Sequence, residues 1–302
     1  MYLNGDYINL DRNPTENLLK IGEKYYQIDW LKEPRKYYAG GNGTVFKLID
    51  EQEGQEFAIK FLKFPDHLWN NSRFEKRFQR FDREVEALYI AKDNGLSNIV
   101  EIQFNGKYII DGSEFSYYVM QMCDCTLKEY LAKNTLALSQ KTLLCQKILL
   151  GIIGLHEYKI YHRDIKQDNI FFIGNEPYIG DLGLADYQNS DIFIDEVGEL
   201  IGPTGWFSPE ALNKAMCEGP KNRNPHRFDC TIDAKSEVFQ LGKLFWYIYQ
   251  GNLPIGQTSL RDFMPGNATI FNILNSMLIH TKANRADPEL IQSNLDEYLE
   301  LH

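Results

Sequence analysis

Residues 161–170 read YHRDIKQDNI and residues 179–183 read IGDLG, and these two stretches carry the strongest signal in the chain. Asp164, Asn169 and Asp181 stand at spacings of 5 and 12 residues and flank a short predicted hairpin, which can bring them together. Carboxylate and amide oxygens can hold Mg²⁺ while leaving positions for phosphate oxygens. A further carboxylate can orient an incoming hydroxyl and accept its proton. The pattern therefore predicts phosphoryl transfer, which depends mainly on positioning and charge neutralisation.

Roughly the first 120 residues are predicted to be β-rich, with one long helix. Residues 44–50 and 55–62 alternate or run apolar around a turn at 51–54, as the two strands of a hairpin do. In residues 73–92 the apolar side chains instead recur at helical spacing and form one stripe. Phe115–Met122 is a further candidate strand.

After residue 127 the chain is predicted to be mainly helical, with apolar helices at 141–158 and 236–249. The expected fold class is α+β. It has a small β-rich lobe with one long helix, then a larger helical lobe, and the chain crosses between them at 121–126. A cleft between two lobes is a common place for a small molecule to bind.

The composition limits the classes of function. A net charge of −10 and a pI of about 5.2 argue against a nucleic-acid partner bound through overall charge. Five cysteines without a C-x-x-C pair argue against a disulfide framework or a zinc site, so we expect a reduced, cytoplasmic location. The polar start of the chain predicts no signal peptide. Apolar runs such as 148–155 are shorter than the roughly 18 residues of a membrane span, so no membrane partner is expected.

Residues 38–45, YAGGNGTV, form a glycine-rich turn that enters a strand. Without Cβ atoms the backbone can approach phosphates and direct N–H groups at them. An ordinary hairpin turn is an equally good reading. A Walker A loop is excluded, because no Gly-Lys-[Ser/Thr] and no helix follow.

Lys60 lies inside the apolar strand FAIKF at residues 57–61. Its ammonium requires a carboxylate or a phosphate unless the side chain reaches solvent. Glu84 lies beside the apolar stripe of the 73–92 helix and is a candidate partner. The alternative for Glu84 is a pair with Arg80, four residues earlier on the same helix.

With H-R-D-x-K-x-x-N followed by D-x-G, the chain resembles the protein kinase family over about residues 36–290. The style of W-F-S-P-E at 206–210 is similar to that of bacterial members. The resemblance implies ATP as the nucleotide, Mg²⁺ (or Mn²⁺) as the metal and a protein as the substrate. Because Lys166 matches the lysine of serine/threonine kinases, it implies transfer to serine and threonine hydroxyls.

The same resemblance implies a role for each matching residue. Asp164 matches the catalytic base, Lys166 its lysine, and Asn169 and Asp181 the metal ligands. Lys60 matches the residue that holds the α- and β-phosphates and pairs with Glu84. The remaining nucleotide-binding positions surround the phosphates or the adenine, with Met120 as the gatekeeper and the backbone of Gln121 and Cys123 as the hinge: Gly40, Gly41, Asn42, Gly43, Val45, Ala58, Met120, Gln121, Cys123 and Phe171.

The resemblance also implies the domain limits. Residues 1–35 are expected to be an N-terminal extension packed on the kinase, and residues 36–302 the catalytic domain. Within that domain the N-lobe covers about 36–120, the hinge 121–126 and the C-lobe 127–302.

Four positions depart from the family pattern. Tyr38 replaces the first loop glycine, and Leu182 replaces phenylalanine in D-F-G. Pro203-Thr204 stands where the family has a threonine that contacts the base and the lysine, so Thr204 makes this contact from one position later or the contact is lost. Glu237 replaces an aspartate that supports the H-R-D turn. A nucleotide-binding pseudokinase therefore stays open as an alternative function, as does a small-molecule kinase.

Arg163 precedes the predicted base and requires an anion beside it. In many relatives this anion is a phosphate on the segment 181–210, which here is rich in carboxylates. Our hypothesis is that one of these carboxylates pairs with Arg163, so that activity does not depend on phosphorylation. A solvated acidic loop is the alternative.

Overall fold

The computed structural model describes residues 1–4, 7–31, 43–187, 194–196, 198–218, 224 and 226–302. The chain divides into two compact units. Unit 1 comprises Met1–Asp93 and Val100–Cys123, and unit 2 comprises Asn94–Ile99 and Asp124–His302.

Unit 1 is built on a six-stranded antiparallel sheet in the order β3-β4-β5-β6-β8-β7. A separate hairpin, β1 and β2, precedes it, and the helix α1 lies between β6 and β7 in the chain. The bounds are β1 Tyr2–Asn4, β2 Tyr7–Asn9, β3 Leu18–Ile21, β4 Lys24–Asp29, β5 Gly43–Asp50, β6 Glu56–Leu62, α1 Glu75–Asp93, β7 Ile102–Ile110 and β8 Ser113–Gln121.

The sheet begins earlier than the predicted lobe boundary at residue 36. β4 pairs with β5, with Ile28 opposite Leu48, and β3 pairs with β4. Ile8 and Leu10, before β3, are buried in the same hydrophobic core as Phe46 on β5. The described residues before position 36 therefore contribute two strands and part of the core to unit 1.

Unit 2 contains six α-helices, two short 3₁₀ helices and five short strands within the described residues. Its hairpin of β11 and β12 is joined to β9, and β10 pairs with β13. The bounds are β9 Cys125–Thr126, α2 Leu127–Lys133, α3 Leu138–Glu157, β10 Ile160–Tyr161, β11 Ile170–Ile173, β12 Glu176–Ile179, β13 Asp186–Tyr187, α4 Pro209–Cys217, α5 Ala234–Gln250, α6 Ala268–Met277 and α7 Pro288–Leu301.

The apolar helix predicted at 141–158 is found as α3, Leu138–Glu157, which begins three residues earlier. Over its 20 residues it is long and apolar enough to span a membrane, by length and composition alone. Ile148, Leu149 and Ile152 on this helix are fully buried. The buried core helix of a soluble protein can have the same length and apolar composition. The predicted fold class, a β-rich region with one long helix followed by a helical region, is confirmed.

Candidate active site

Lys60 on β6 and Glu84 on α1 form a buried ion pair in unit 1. The ammonium lies 2.7 and 2.8 Å from the two carboxylate oxygens of Glu84, and the Tyr118 hydroxyl donates to the same carboxylate at 2.9 Å. The side chains of Lys60 and Glu84 are 9% and 0% exposed. The structure thus brings together two residues that the sequence placed 24 positions apart. Tyr118 is a partner that the sequence reasoning missed.

The sheet register places the predicted nucleotide residues of unit 1 on one face. Val45 lies opposite Lys60, and Ala58 lies opposite Met120. Directly paired residues and residues two apart on a strand share a face, so these four side chains do as well. A Cβ atom on Gly43 would lie 3.0 Å from Cε of Lys60 and 2.8 Å from a backbone oxygen. Glycine at this position therefore leaves room for the lysine side chain.

The predicted hinge begins at the end of β8. The N–H of Gln121 donates to the carbonyl of Glu101 at 2.9 Å, so in this structure it is already used within the sheet. Cys123, the last residue of unit 1, places its thiol 4.0 Å from the Gln121 carbonyl. Gly40, Gly41, Asn42 and also Tyr38 lie outside the described residues.

In unit 2 the Asp164 carboxylate is held by two neighbours in the same loop. Its Oδ2 accepts hydrogen bonds from the Lys166 ammonium and from the Asn169 amide, both at 2.8 Å. The same amide nitrogen donates to the Asp164 carbonyl at 2.8 Å. Because both contacts of this nitrogen are acceptors, the amide orientation is fixed, and Oδ1 of Asn169 is the atom left to bind a cation.

The backbone around Asp164 is fixed by His162. The Asp164 N–H donates to Nδ1 of His162, so the proton of the neutral ring is on Nε2, which donates to the Gly180 carbonyl at 3.1 Å. This bond joins the loop to the residue before Asp181. Gly180 also donates its N–H to the Asn169 carbonyl at 3.0 Å. The hairpin of β11 and β12 therefore brings Asp164, Asn169 and the backbone before Asp181 together, as the spacing predicted.

Asp181 is exposed and has a φ of +56°, and Arg163 has a φ of +63°. Left-handed backbone is uncommon for residues other than glycine and concentrates at functional sites. Phe171 on β11 is half-buried and lies opposite Thr126 on β9.

Within the described residues no group of three or more His, Cys, Asp and Glu side chains could hold a metal by itself. This is compatible with Mg²⁺, which proteins usually bind through one or two carboxylates together with water and substrate phosphates. Asn169 and Asp181 offer one amide oxygen and one carboxylate of the oxygen type that Mg²⁺ prefers.

The Arg163 guanidinium forms ion pairs with two carboxylates. Its guanidinium donates to Asp186 on β13 at 2.7 Å and to Asp195 at 2.8 Å, and its side chain is 5% exposed. The sequence predicted an anion here but could not select which of the acidic residues supplied it. Two of them do, both within unit 2.

Glu237 on α5 supports the same loop despite its extra methylene. One carboxylate oxygen accepts the Arg163 N–H at 2.5 Å, and the other lies 2.7 Å from Nε2 of His156, the next-to-last residue of α3. Glu237 itself is fully buried. Glu237 therefore supports the turn in place of the family's aspartate, and its second carboxylate oxygen contacts α3.

Glu210, near the beginning of α4, forms a buried ion pair with Arg285. Its carboxylate accepts two bonds from the guanidinium of Arg285, at 3.0 and 3.2 Å, and both residues are buried. Thr204, by contrast, is exposed, and no hydrogen bond from its hydroxyl is found in the described part of the chain. Of the two alternatives for Thr204, loss of the contact is the one the structure shows.

Comparisons with known proteins give the family. The sequence model of the protein kinase domain matches residues 35–300. The chain is 29% identical over 210 residues to the serine/threonine-protein kinase dst4 of Dictyostelium discoideum, which covers 67% of this chain and 37% of that protein. It is 28% identical over 219 residues to the serine/threonine-protein kinase PrkC of Bacillus subtilis, or 71% of this chain and 29% of that protein.

A third relative is the serine/threonine-protein kinase pkn2 of Myxococcus xanthus, which is 23% identical over 238 residues, or 76% of this chain and 25% of that protein. The chain thus spans only about a quarter to two fifths of the length of these relatives. Since the family model covers nearly all of the sequence, the chain belongs to the protein kinase family.

Proposed function

We propose that this chain transfers the γ-phosphoryl group of ATP, in the presence of Mg²⁺, to serine or threonine hydroxyls of a protein substrate. The observation that carries the proposal is the Asp164 carboxylate, which is 7% exposed and held by Lys166 and Asn169. A carboxylate fixed in this way is suited to orient a hydroxyl and accept its proton.

Each residue of the unit 2 loop has a defined task in this proposal. Asp164 positions the substrate hydroxyl and takes its proton at Oδ1 or Oδ2. Lys166 steadies the negative charge of the group being transferred, and its bond to Asp164 keeps it at the reacting end of the loop. Asn169 and Asp181 would hold Mg²⁺, which neutralises phosphate charge when bound.

The unit 1 residues support a nucleotide role. In an apolar strand the Lys60 ammonium is oriented by Glu84, so that it can also hold phosphate oxygens. Val45, Ala58 and Met120 offer an apolar surface on the same sheet face for the adenine. The five cysteines are all free thiols, which supports a cytoplasmic location.

The test is single-turnover transfer of labelled phosphate from ATP-Mg to a generic basic protein, with phosphoamino-acid analysis of the product. Asp164→Asn should lower the rate about 10²–10⁴-fold and leave ATP affinity nearly unchanged. Absence of transfer by the wild type with retained ATP binding would favour a pseudokinase. Transfer to aminoglycosides or sugars in place of protein would favour a small-molecule kinase.

A further inference from the structure

The segment Gly202–Phe207 lacks the threonine contact that the family pattern implies. Thr204 is exposed, and the described residues offer its hydroxyl no hydrogen-bond partner. The backbone of this segment is nevertheless ordered: the Trp206 N–H donates to the Pro203 carbonyl at 3.0 Å, and Trp206 and Phe207 are buried. Other side chains must therefore hold the segment beside the Asp164 loop.

Gln240 on α5 contacts both the loop and the segment. Its side-chain amide donates to the Arg163 carbonyl at 3.4 Å, and the residue is 4% exposed. Gly202 lies against this pair, because a Cβ atom there would be 3.1 Å from the Arg163 carbonyl oxygen and 3.3 Å from the Gln240 nitrogen. The φ of +112° at Gly202 also favours glycine. The three residues thus form one contact between loop and segment.

Glu237 and Gln240 hold the two polar groups of the Arg163 main chain. Glu237 accepts from its N–H, and Gln240 donates to its carbonyl. Residues three apart on a helix are neighbours on its surface, so α5 presents both groups from adjacent turns. The residue held in this way directly precedes Asp164.

Lys243, one further step of three along α5, holds the segment itself. Its ammonium donates to the carbonyls of Gly205 and Phe207, at 3.0 and 3.1 Å. Lys243 forms no ion pair with any described residue, and burial lowers its pKa. Its ammonium also lies 5.3 Å from the ring centre of Phe239, and the Arg285 guanidinium lies 5.0 Å from the same ring.

A lysine that gives two hydrogen bonds to main-chain carbonyls fixes backbone, whatever the side chains of the segment are. Arg285 holds Glu210 a few residues further on. The segment from Gly205 to Glu210 is therefore held at its beginning by one cation and at its end by another, with Phe239 of α5 in contact with both.

We propose that Gln240 and Lys243 are positioning residues for phosphoryl transfer. Gln240 orients the peptide unit before Asp164. Lys243 shapes the 205–207 backbone, which follows directly on the contact of Gly202 with the Asp164 loop and is therefore placed to meet the protein substrate. Together they replace the missing threonine contact. The effect on the reaction rests on the proposed kinase function, whereas the effect on the backbone does not.

The experiment compares Lys243→Met and Gln240→Leu with wild type in two measurements. The first is steady-state transfer to a peptide substrate of the wild type. Lys243→Met should raise the peptide KM about ten- to a hundredfold, as expected for the loss of hydrogen bonds from a charged donor. Gln240→Leu should lower kcat about two- to tenfold, the range for one neutral hydrogen bond, and the KM for ATP should change in neither variant.

The second measurement is amide hydrogen exchange, which needs no activity. Exchange should rise at residues 204–207 in Lys243→Met and at residues 163–166 in Gln240→Leu. Lys243→Arg, which keeps a cationic donor, should restore most of the peptide KM and also covers the case in which Lys243→Met does not fold. Lys128→Met removes an exposed lysine of the same unit and is the control.

Unchanged exchange at both segments would overturn the proposal. Changed exchange with unchanged KM and kcat would assign the two residues a structural role only, and would also overturn it. If the wild type transfers no phosphate, the proposed function fails, and the exchange measurement still decides whether these residues fix the two segments.

Discussion

The Lys60 ammonium and the Glu84 carboxylate meet through both carboxylate oxygens, at 2.7 and 2.8 Å, in a place where almost no solvent reaches either side chain. A buried ion pair gains little net stability when both partners are present, because desolvation opposes the attraction. Removal of one partner is much more costly, since it leaves a buried charge without compensation. Removal of one partner of this pair is therefore expected to lower the free energy of unfolding more than removal of both.

Lys60→Met should lower the free energy of unfolding by about 3–5 kcal/mol, because the buried Glu84 carboxylate then loses its ammonium partner. The double variant Lys60→Met/Glu84→Gln should recover part of that loss. Urea denaturation of the wild type, both single variants and the double variant gives the coupling energy. Lys47→Met, which breaks the more exposed pair with Glu56, should cost at most about 1 kcal/mol. Equal losses at Lys60 and Lys47 would contradict the assignment.

The core of unit 1 depends on the beginning of the chain. Ile8 and Leu10 are 1% and 5% exposed and pack in the same cluster as Phe46 and Phe61. Ile8→Ala and Leu10→Ala should each lower the free energy of unfolding by about 2–5 kcal/mol. Leu18→Ala, at a leucine that is 43% exposed on β3, is the matched control and should stay within about 0.5 kcal/mol. If chemical denaturation gave losses for Ile8→Ala and Leu10→Ala as small as the loss for Leu18→Ala, the beginning of the chain would not support this core.

The sequence allowed prediction of those features that depend on local pattern. The spacing of Asp164, Asn169 and Asp181 predicted a short hairpin between them, and the apolar stripe at 73–92 predicted α1. By contrast, β3 and β4 escaped prediction because their burial comes from pairing with β5, and nothing in the local pattern shows that pairing.

The partners of the predicted site were harder to predict than the site itself. Several acidic residues could have reached Arg163, and only the fold selects Asp186 and Asp195. Gln240 and Lys243 lie on a helix that reads as apolar around most of its circumference. Their polar groups were missed because their partners are main-chain carbonyls 36 or more residues away, which no sequence motif marks.

Asp50 is expected to make the stability of unit 1 depend on pH. Its side chain is 2% exposed and accepts from the Lys24 ammonium at 2.9 Å and from the N–H groups of Gln52 and Glu53. The Lys24 bond, followed by the two backbone bonds, lowers the pKa of Asp50 below its ordinary value of 3.8. A lowered carboxyl pKa stabilises the fold fully above the unfolded value, and this contribution disappears as the pH falls through the folded value.

The free energy of unfolding of Asp50→Asn should therefore fall below that of the wild type by a constant amount above pH 3.8, and the difference should shrink in more acidic solution. Urea titrations at a series of pH values measure it. A Glu51→Gln variant, which lacks an exposed carboxylate of the same turn, is the control. A difference that grows as the pH falls would have the wrong sign.

The two carboxylates on Arg163 predict activity without phosphorylation. In the proposed kinase, Asp186 and Asp195 already supply the anions beside the guanidinium, so phosphatase treatment of the purified protein should leave the transfer rate unchanged. Asp186→Asn/Asp195→Asn removes both carboxylates that contact the buried guanidinium within the described residues, at a cost of about 3–5 kcal/mol. The double variant should therefore lose most of its transfer rate as well as stability. Glu157→Gln/Glu289→Gln removes two exposed carboxylates of the same unit and should retain both. A wild type that is inactivated by phosphatase, or a double aspartate variant with full activity, would refute this mode of activation.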